Sequence, residues 1–181
     1  MLLPLFLLLF ATPARADDAV WRLLQRGGQV IVLRHATTVP GVGDPANFKL
    51  GDCSTQRNLS EAGREESRRL GQAFRQRGIS VGAVLSSAWC RCVDTAQLAF
   101  GKAEIWPGAN SFFDNAAERG DRTAALRQRV TQHRSSENLV IVTHQVNITA
   151  LTGVYPAMGE MVVLSPDAAG GFSIAGRIKP Q

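Results

Sequence analysis

The chain has 181 residues, 45% of them hydrophobic and 19% charged, which fits one globular domain with a real core and leaves no room for a second. Its formal net charge of +5 and its pI near 9.7 would suit a nucleic-acid binder. The basic residues are scattered and interleaved with acids, however, as in residues 64–69, and this pattern is typical of a solvated helix face. Charge patterning therefore argues against nucleic acid as the partner.

The N-terminal segment differs from the rest of the chain. Residues 2–10 are apolar except for Pro4, and Ala14-Arg15-Ala16 has the small-x-small pattern that signal peptidases cut. No lysine or arginine precedes the apolar run, which leaves open whether the signal is complete. The run is shorter than the roughly 20 apolar residues of a spanning helix, so a membrane anchor is less favoured. We predict a signal peptide over residues 1–16, a mature domain over 17–181, and an exported, periplasmic or secreted protein without stable membrane insertion after cleavage.

Helices and strands are predicted to alternate along the mature chain. The predicted helices cover residues 17–26, 60–78, 92–100, 123–133 and 146–151. The predicted strands cover residues 29–33, 81–85, 104–106, 139–143, 161–164 and 172–174. A long polar loop, residues 37–58, follows the first strand, and loops of this length in compact domains are usually functional or disordered. Alternating elements predict an α/β fold.

Charged side chains follow two of the predicted strands. Arg34 and His35 come directly after the apolar run 30–33, His144 follows the run 139–143, and Arg91 lies between them in the sequence. Runs of this kind are typical of buried parallel strands, whose carboxyl ends meet at the edge where open α/β sheets bind ligands. The two histidines and two arginines are therefore predicted to converge on one cationic crevice.

This residue set suits phosphoryl transfer. The transferred group carries negative charge on its equatorial oxygens, and the protein supplies positioning and preplaced positive charge. Arginine meets two phosphate oxygens at once through a planar fork. Cationic neighbours favour the neutral form of a histidine, which can attack as a nucleophile and form a phosphohistidine that water then hydrolyses. A general acid must still protonate the leaving oxygen.

The chain has three cysteines, Cys53, Cys90 and Cys92. In an oxidising compartment pairing is favoured, and an odd count leaves one cysteine over. A disulfide from Cys53 to either Cys90 or Cys92 would tie the long loop to the segment that carries Arg91. A zinc site is the alternative, but C-x-C with one distant cysteine lacks the usual spacing of zinc ligands.

Four sequence blocks, taken in order, resemble the signatures of a known family. The blocks are Leu33-Arg34-His35, the stretch from Asn58 to Arg64, the stretch from Ser86 to Ala96, and Val142-Thr143-His144. Their order and content resemble the histidine phosphatase superfamily, which has the phosphoglycerate-mutase-like fold, over residues 29–164. The resemblance implies a single-domain three-layer α/β/α sandwich with a mostly parallel central sheet and a phosphatase that needs no metal and no organic cofactor.

The resemblance also implies roles for individual residues. His35 would be the nucleophile, Arg34 and Arg91 would clamp the phosphate, and His144 would complete the pocket. Arg57 matches an arginine of the small single-domain members and is a candidate for substrate binding.

Two features depart from the family pattern. Ala36 replaces the glycine that usually follows the nucleophilic histidine, and the local turn is expected to differ because alanine tolerates left-handed backbone angles poorly. The usual acid of the larger family members is a glutamate after the third strand, where this chain offers Asp114, with Glu118 four residues later. Asp114 fits the loop better, and a solvent-assisted reaction without a protein acid remains the alternative. Glu160 is left open as a cleft residue or a turn residue.

The sequence as a whole predicts an exported, metal-independent phosphatase of the histidine acid type that hydrolyses phosphomonoesters. A mutase is less favoured, because the mature chain has little room for an elaborate closing segment. The alternatives are a noncatalytic phospho-ligand binding module on the same fold and a basic surface that binds anionic envelope polymer. The expected partner is a phosphorylated small molecule or, by similarity to small exported family members, an envelope sugar phosphate.

Overall fold

The computed structural model describes residues 14–41 and 43–180. Most of the predicted signal peptide, residues 1–16, lies outside this range, and residues 14–16 form the start of the first helix. The helices of the described part are α1 (Ala14–Arg26), α2 (Glu61–Gln76), α3 (Cys90–Phe100), α4 (Arg119–Thr131) and α5 (Gln145–Thr152). The strands of the described part are β1 (Val30–Arg34), β2 (Val81–Ser86), β3 (Glu104–Ile105), β4 (Asn138–Thr143), β5 (Met161–Pro166) and β6 (Phe172–Ile178).

The strands form one sheet in the order β3-β2-β4-β1-β5-β6. The pairs β3-β2, β2-β4 and β4-β1 are parallel, whereas β5 is antiparallel to both of its neighbours. The predicted α/β fold with a mostly parallel sheet is therefore confirmed. The parallel half of the sheet places the carboxyl ends of β1, β2 and β4 at one edge.

Apolar side chains cover both faces of the sheet, as expected for a buried parallel sheet. One face packs against α1, α2 and α3 through residues such as Leu24, Phe74 and Ala96. The opposite face packs against α4 and α5 through residues such as Leu126 and Ile148. The molecule therefore has the three layers that the resemblance implied. None of the helices in the described part of the chain is long and apolar enough to cross a membrane.

Several elements have bounds that differ from the sequence prediction, among them α3, α4 and β6. Helix α3 begins two residues early, because Gln56 Oε1 in the long loop accepts the first backbone N–H of the helix, that of Cys90, at 2.9 Å. Helix α4 begins four residues early, since its first two turns are exposed and show no apolar periodicity. Strand β6 extends to Ile178, because backbone pairing with β5 continues where side chains are exposed. Each of these differences depends on contacts outside the local sequence pattern.

A close approach positions the loop that follows β1. A Cβ atom on Gly63 would lie only 1.9 Å from the carbonyl oxygen of Thr37, so helix α2 can reach this loop only with glycine there. Ser60 caps the same helix by accepting the backbone N–H of Gly63 at 3.1 Å, as its position predicts. The start of α2 is thereby fixed beside the chain that leaves His35.

Candidate active site

The sheet register brings the two predicted histidines together. Arg34 in β1 is paired with Thr143 in β4, and the backbone N–H of His35 donates to the carbonyl of Thr143 at 3.0 Å. The ring centroids of His35 and His144 are 5.5 Å apart. The two side chains therefore leave neighbouring parallel strands at the same edge.

A cavity of about 240 Å³ lies at this edge. It is lined by every residue for which the sequence predicted a role in binding or catalysis: Arg34, His35, Arg57, Arg91, Asp114 and His144. Residues separated by 110 positions in the sequence thus share one site.

His35 is buried, and its hydrogen bonding distinguishes the two ring nitrogens. Nδ1 lies 2.9 Å from the carbonyl oxygen of Ala36, an acceptor, so the ring proton of the neutral form is assigned to Nδ1. Burial lowers the pKa of His35 to about 3, and the charges of Arg91, Arg34 and Arg57 lower it too, against an opposing effect of the Ala36 bond. The imidazole is therefore neutral at pH 7, with a free lone pair on Nε2.

Three arginines surround this ring with unused donors. Within the described part of the chain, the buried Nε atoms of Arg34, Arg57 and Arg91 have no hydrogen-bond partner. Other guanidinium nitrogens are anchored, since Arg34 Nη1 donates to Pro156 O at 2.8 Å and Arg57 Nη1 donates to Gly41 O. Burial lowers the pKa of Arg34 and of Arg57, but a guanidinium remains protonated in proteins. Three fixed positive charges therefore line the cavity, and their Nε–H donors have no acceptor within the described residues.

His144 is held by the segment that leads into α3. Its Nε2 lies 2.8 Å from Ser87 Oγ and 3.5 Å from Cys92 Sγ, and its ring packs edge-on against Trp89. Burial and then the neighbouring His35 and arginine charges hold the pKa of His144 well below its usual value. A second neutral imidazole therefore faces the cationic cavity.

The two candidate acids occupy different environments. Asp114 is exposed and lines the cavity. Glu118 instead pairs with Arg122 in the first turn of α4 at 2.8 Å and accepts a hydrogen bond from Asn115. Of these two carboxylates, Asp114 is the one with access to a ligand in the cavity.

Glu160, which the sequence left open as a cleft residue or a turn residue, is a buried residue at the end of a turn. Glu160 accepts the backbone N–H of Ala157 at 2.7 Å and the Nε of Arg177 at 2.6 Å. Pro156, the carbonyl of which anchors Arg34, directly precedes this turn. Glu160 therefore supports the site indirectly.

Ala36 causes no strain in its turn. No non-glycine residue in the described part of the chain has a positive φ, so Ala36 does not adopt the left-handed conformation that alanine disfavours. Its backbone N–H donates to Thr95 Oγ1 in α3 at 3.0 Å. The replacement of glycine by alanine therefore does not strain the backbone that follows His35.

The cysteines resolve into one disulfide and one thiol. Cys53 and Cys90 are bonded, which joins the long loop to the first turn of α3, while Cys92 is free and buried. Burial raises the pKa of the Cys92 thiol to about 12. The disulfide removes two of the three sulfur ligands that a zinc site would have needed.

One buried residue of the site was missed by sequence reasoning. The Asp44 carboxylate, in the long loop, forms a salt bridge with Arg91 at 2.8 Å and also lines the cavity. A single acid among glycines and prolines is typical of a turn, so its local sequence does not distinguish it. The unusual length of the loop was the only available signal.

Comparisons with known proteins agree with this geometry. The model of the histidine phosphatase superfamily (branch 1) matches residues 30–111. No curated protein sequence matches the chain significantly.

Solved structures of two phosphatases and of a third protein share the fold. The protein histidine phosphatase SixA complexed with tungstate is 16% identical, with a TM-score of 0.58 over 84% of this chain and 97% of that one. A phosphoserine phosphatase from Entamoeba histolytica in complex with 3-phosphoglyceric acid is 13% identical, with a TM-score of 0.63 over 84% and 98%. Bacillus stearothermophilus YhfR is 16% identical, with a TM-score of 0.61 over 82% and 95%.

Fold and site together define an α/β protein with a cationic, histidine-containing cavity at the carboxyl edge of its sheet. The resemblance predicted from the four sequence blocks is confirmed, because the model of the histidine phosphatase superfamily matches residues within the chain and solved phosphatase structures share its fold.

Proposed function

We propose that the protein is a metal-independent phosphatase that hydrolyses phosphomonoesters through a phosphohistidine at His35. The observation that carries this proposal is the set of three arginines, Arg34, Arg57 and Arg91, that line the cavity beside His35 and whose buried Nε–H groups have no partner within the described residues. Buried charged donors without acceptors are costly, so a site that collects three of them is built for an oxyanion.

The geometry supports a role for each of these residues. The Nε2 lone pair of His35 attacks phosphorus, and the Nε2–P bond forms as the bond to the ester oxygen breaks. The arginines bind the equatorial oxygens, on which negative charge is concentrated during transfer. Asp114 gives its proton to the leaving oxygen and then takes one from the water that attacks the phosphohistidine, which releases phosphate and restores neutral His35.

His144 fits a donor role towards the phosphate. Ser87 Oγ is 2.8 Å from His144 Nε2 but 3.4 Å from its other acceptor, Asn110 Oδ1, so the shorter contact favours donation to the imidazole. Accepting this bond at Nε2 leaves the ring proton on Nδ1. The Nδ1–H group is then the donor that we assign to a phosphate oxygen.

The structurally similar proteins support a phosphatase activity for this chain, and they differ in the substrates that their names give. SixA is described as a protein histidine phosphatase and was solved with tungstate, and the Entamoeba histolytica protein is a phosphoserine phosphatase. We propose a phosphorylated small molecule as the substrate class and an envelope sugar phosphate as the more specific candidate. Two exposed aromatic residues at the cavity, Phe113 and Tyr155, support an organic group with an apolar ring face, because such surfaces pack well on aromatic side chains.

We further propose that residues 1–16 are a signal peptide, that residues 17–181 form the exported domain, and that the protein acts in the periplasm or outside the cell. The disulfide between Cys53 and Cys90 supports this location, since disulfides persist in oxidising compartments.

A phosphatase screen on the chain from Asp17 tests the proposed function. Sugar phosphates, phosphopeptides and nucleotides are offered with and without a chelator, and the protein is quenched during turnover. We expect chelator-resistant phosphate release and an acid-labile, base-stable phosphoenzyme, both abolished in His35→Ala.

Other results would redirect the assignment. Tight binding of inorganic phosphate without turnover would identify a noncatalytic binding module. Strict metal dependence, or a label that persists in His35→Ala, would contradict the mechanism. Binding of anionic envelope polymer that survives Arg34→Ala with Arg91→Ala would indicate a diffuse basic surface.

A further inference from the structure

A buried ion pair joins the long loop to the start of α3. The Asp44 side chain is 3% exposed and that of Arg91 is 6% exposed, and Arg91 Nη1 donates to the two carboxylate oxygens at 2.8 and 3.0 Å. Among the ion pairs between described residues, this is the one in which both side chains are less than a tenth exposed. Because a buried charge without its partner is strongly unfavourable, each group depends on the other.

Two further donors fix the carboxylate. Trp89 Nε1 donates to Asp44 Oδ2 at 3.0 Å, and the backbone N–H of Arg57 donates to Oδ1 at 2.9 Å. Burial raises the pKa of Asp44, but the hydrogen bonds from Arg91, Arg57 and Trp89 together hold it below its usual value. An ionised carboxylate that is surrounded by donors has no proton to give. Asp44 is therefore unsuited to the role of general acid.

The ion pair with Asp44 engages Nη1 of the Arg91 guanidinium and does not involve Nε. Nη1 contacts both Asp44 oxygens and lies 3.4 Å from the carbonyl oxygen of Arg57, so its hydrogens are engaged. Nε of the same group is buried and has no partner within the described residues. A guanidinium is planar and rigid, so fixing Nη1 also fixes the direction of the Nε–H.

The carboxylate also adjusts the charge of the cavity. Three guanidinium groups and the carboxylates of Asp44 and Asp114 line it. Of these two carboxylates, Asp44 is the one that forms an ion pair with a cavity arginine. Without Asp44, the mutual repulsion of the three arginines would be less compensated.

We infer that Asp44 is a positioning residue for phosphoryl transfer: it holds Nη1 of Arg91 so that the Nε edge of the guanidinium faces the bound phosphoryl group. This inference rests on the proposed function. In a competing role, Asp44 would bind Arg91 at the position that phosphate would otherwise take. Removing its charge would then speed turnover and tighten phosphate binding, which is opposite to the effect of losing a positioning residue.

A double-mutant cycle on the chain from Asp17 tests this inference. Asp44→Asn keeps the size of the side chain and an oxygen acceptor but removes its charge, and Arg91→Lys keeps the positive charge but loses the fork. We expect Asp44→Asn to lower kcat for an aryl phosphate about 10- to 100-fold with a smaller change in KM, since misplacing a group that binds the transition state has effects of this order. In the Arg91→Lys background the same substitution should have little further effect, because there is no fork to orient.

The matched control is Asp94→Asn, also in contact with an arginine near α3. Asp94 pairs with Arg64 at 3.0 Å in a partly exposed surface contact, so kcat should stay within about twofold of wild type. Near-ultraviolet circular dichroism and thermal unfolding check that every variant is folded. A purely structural role for Asp44 would lower the melting temperature without changing the kcat of the folded fraction.

The outcomes separate the inference from the proposed function. Faster turnover or tighter phosphate binding in Asp44→Asn, or fully additive effects with Arg91→Lys, would overturn the positioning role. If the wild-type protein proves inactive, the proposed function fails, and the cycle is run on the Kd for inorganic phosphate. Coupling between the two substitutions in that Kd would still support Asp44 as the residue that orients Arg91, and additivity would refute it.

Discussion

A single backbone carbonyl determines which ring nitrogen of His35 is free. The carbonyl of Ala36 accepts a hydrogen bond from His35 Nδ1, which leaves Nε2 as the free nitrogen of a neutral ring. The neighbouring arginines disfavour a proton there, because a further positive charge would meet three existing ones. Under the proposed mechanism, His35 therefore needs no separate base to activate it at neutral pH.

The role of Asp114 is the least constrained by contacts. We therefore predict how the effect of substituting it depends on the leaving group of the substrate. Asp114→Asn should slow hydrolysis of alkyl or sugar phosphates by about 100-fold, in the range typical of a general acid, while activated aryl phosphates should be much less affected. Steady-state rates on a leaving-group series measure this. Glu118→Gln is the comparison variant and should leave both substrate classes unchanged, because Glu118 pairs with Arg122. Equal losses on all substrates in Asp114→Asn would exclude it as the acid.

At the level of elements, the loop after β1 and the start of α3 act as one unit. Gln56 caps the first turn of α3, Asp44 binds Arg91 in that turn, and the disulfide joins Cys53 to Cys90. The arginine clamp thus depends on a loop that contains little regular secondary structure. Loss of these attachments should disturb Arg91 before it disturbs the sheet.

We predict that the disulfide stabilises the fold and supports activity. It closes a loop with a sequence separation of 37, for which the chain-entropy model gives about 4 kcal/mol of unfolding free energy. Denaturant unfolding with and without reductant should show this loss, and turnover should fall at denaturant concentrations where the reduced protein is still folded. The variant Cys53→Ser with Cys90→Ser is the control, since reductant should not affect it further. Three free thiols in protein from an oxidising compartment would contradict the prediction.

At the level of the whole molecule, the buried neutral histidines link stability to pH. The pKa of His35 is about 3 in the folded protein, compared with an ordinary value of 6.5. Between these pH values the unfolded chain binds a proton that the folded protein does not, so the unfolding free energy falls as pH falls. His144 shifts in the same direction.

Unfolding measurements from pH 6 to pH 4 test this linkage. The wild-type free energy of unfolding should fall more steeply than that of His35→Gln, by about 1.4 kcal/mol per pH unit. Other titrating groups are common to both proteins and cancel in the difference. Identical slopes would show that His35 is not held neutral by the fold.

Much of the fold and of the site could be predicted from the sequence alone. Apolar runs of strand length, separated by helical patterns, identify a parallel sheet with two covered faces, and the residue after each run must then lie at the carboxyl edge. This reasoning predicts that His35 and His144 lie together, and both line the observed cavity. It works because strand burial is a local property of the sequence.

Other features were decided by tertiary structure. The choice of Cys90 over Cys92 as the partner of Cys53, the burial of Asp44 against Arg91, and the unpaired Nε–H groups arise where the loop meets α3. Asp44 and Arg91 are separated by 47 positions, and no local periodicity relates them. Such contacts depend on how an irregular loop closes over the sheet edge, which only the packing of the whole chain determines. The sequence alone thus determined that the two histidines and the predicted arginines reach the site, and the tertiary structure determined that Asp44 joins them and how their polar atoms are paired.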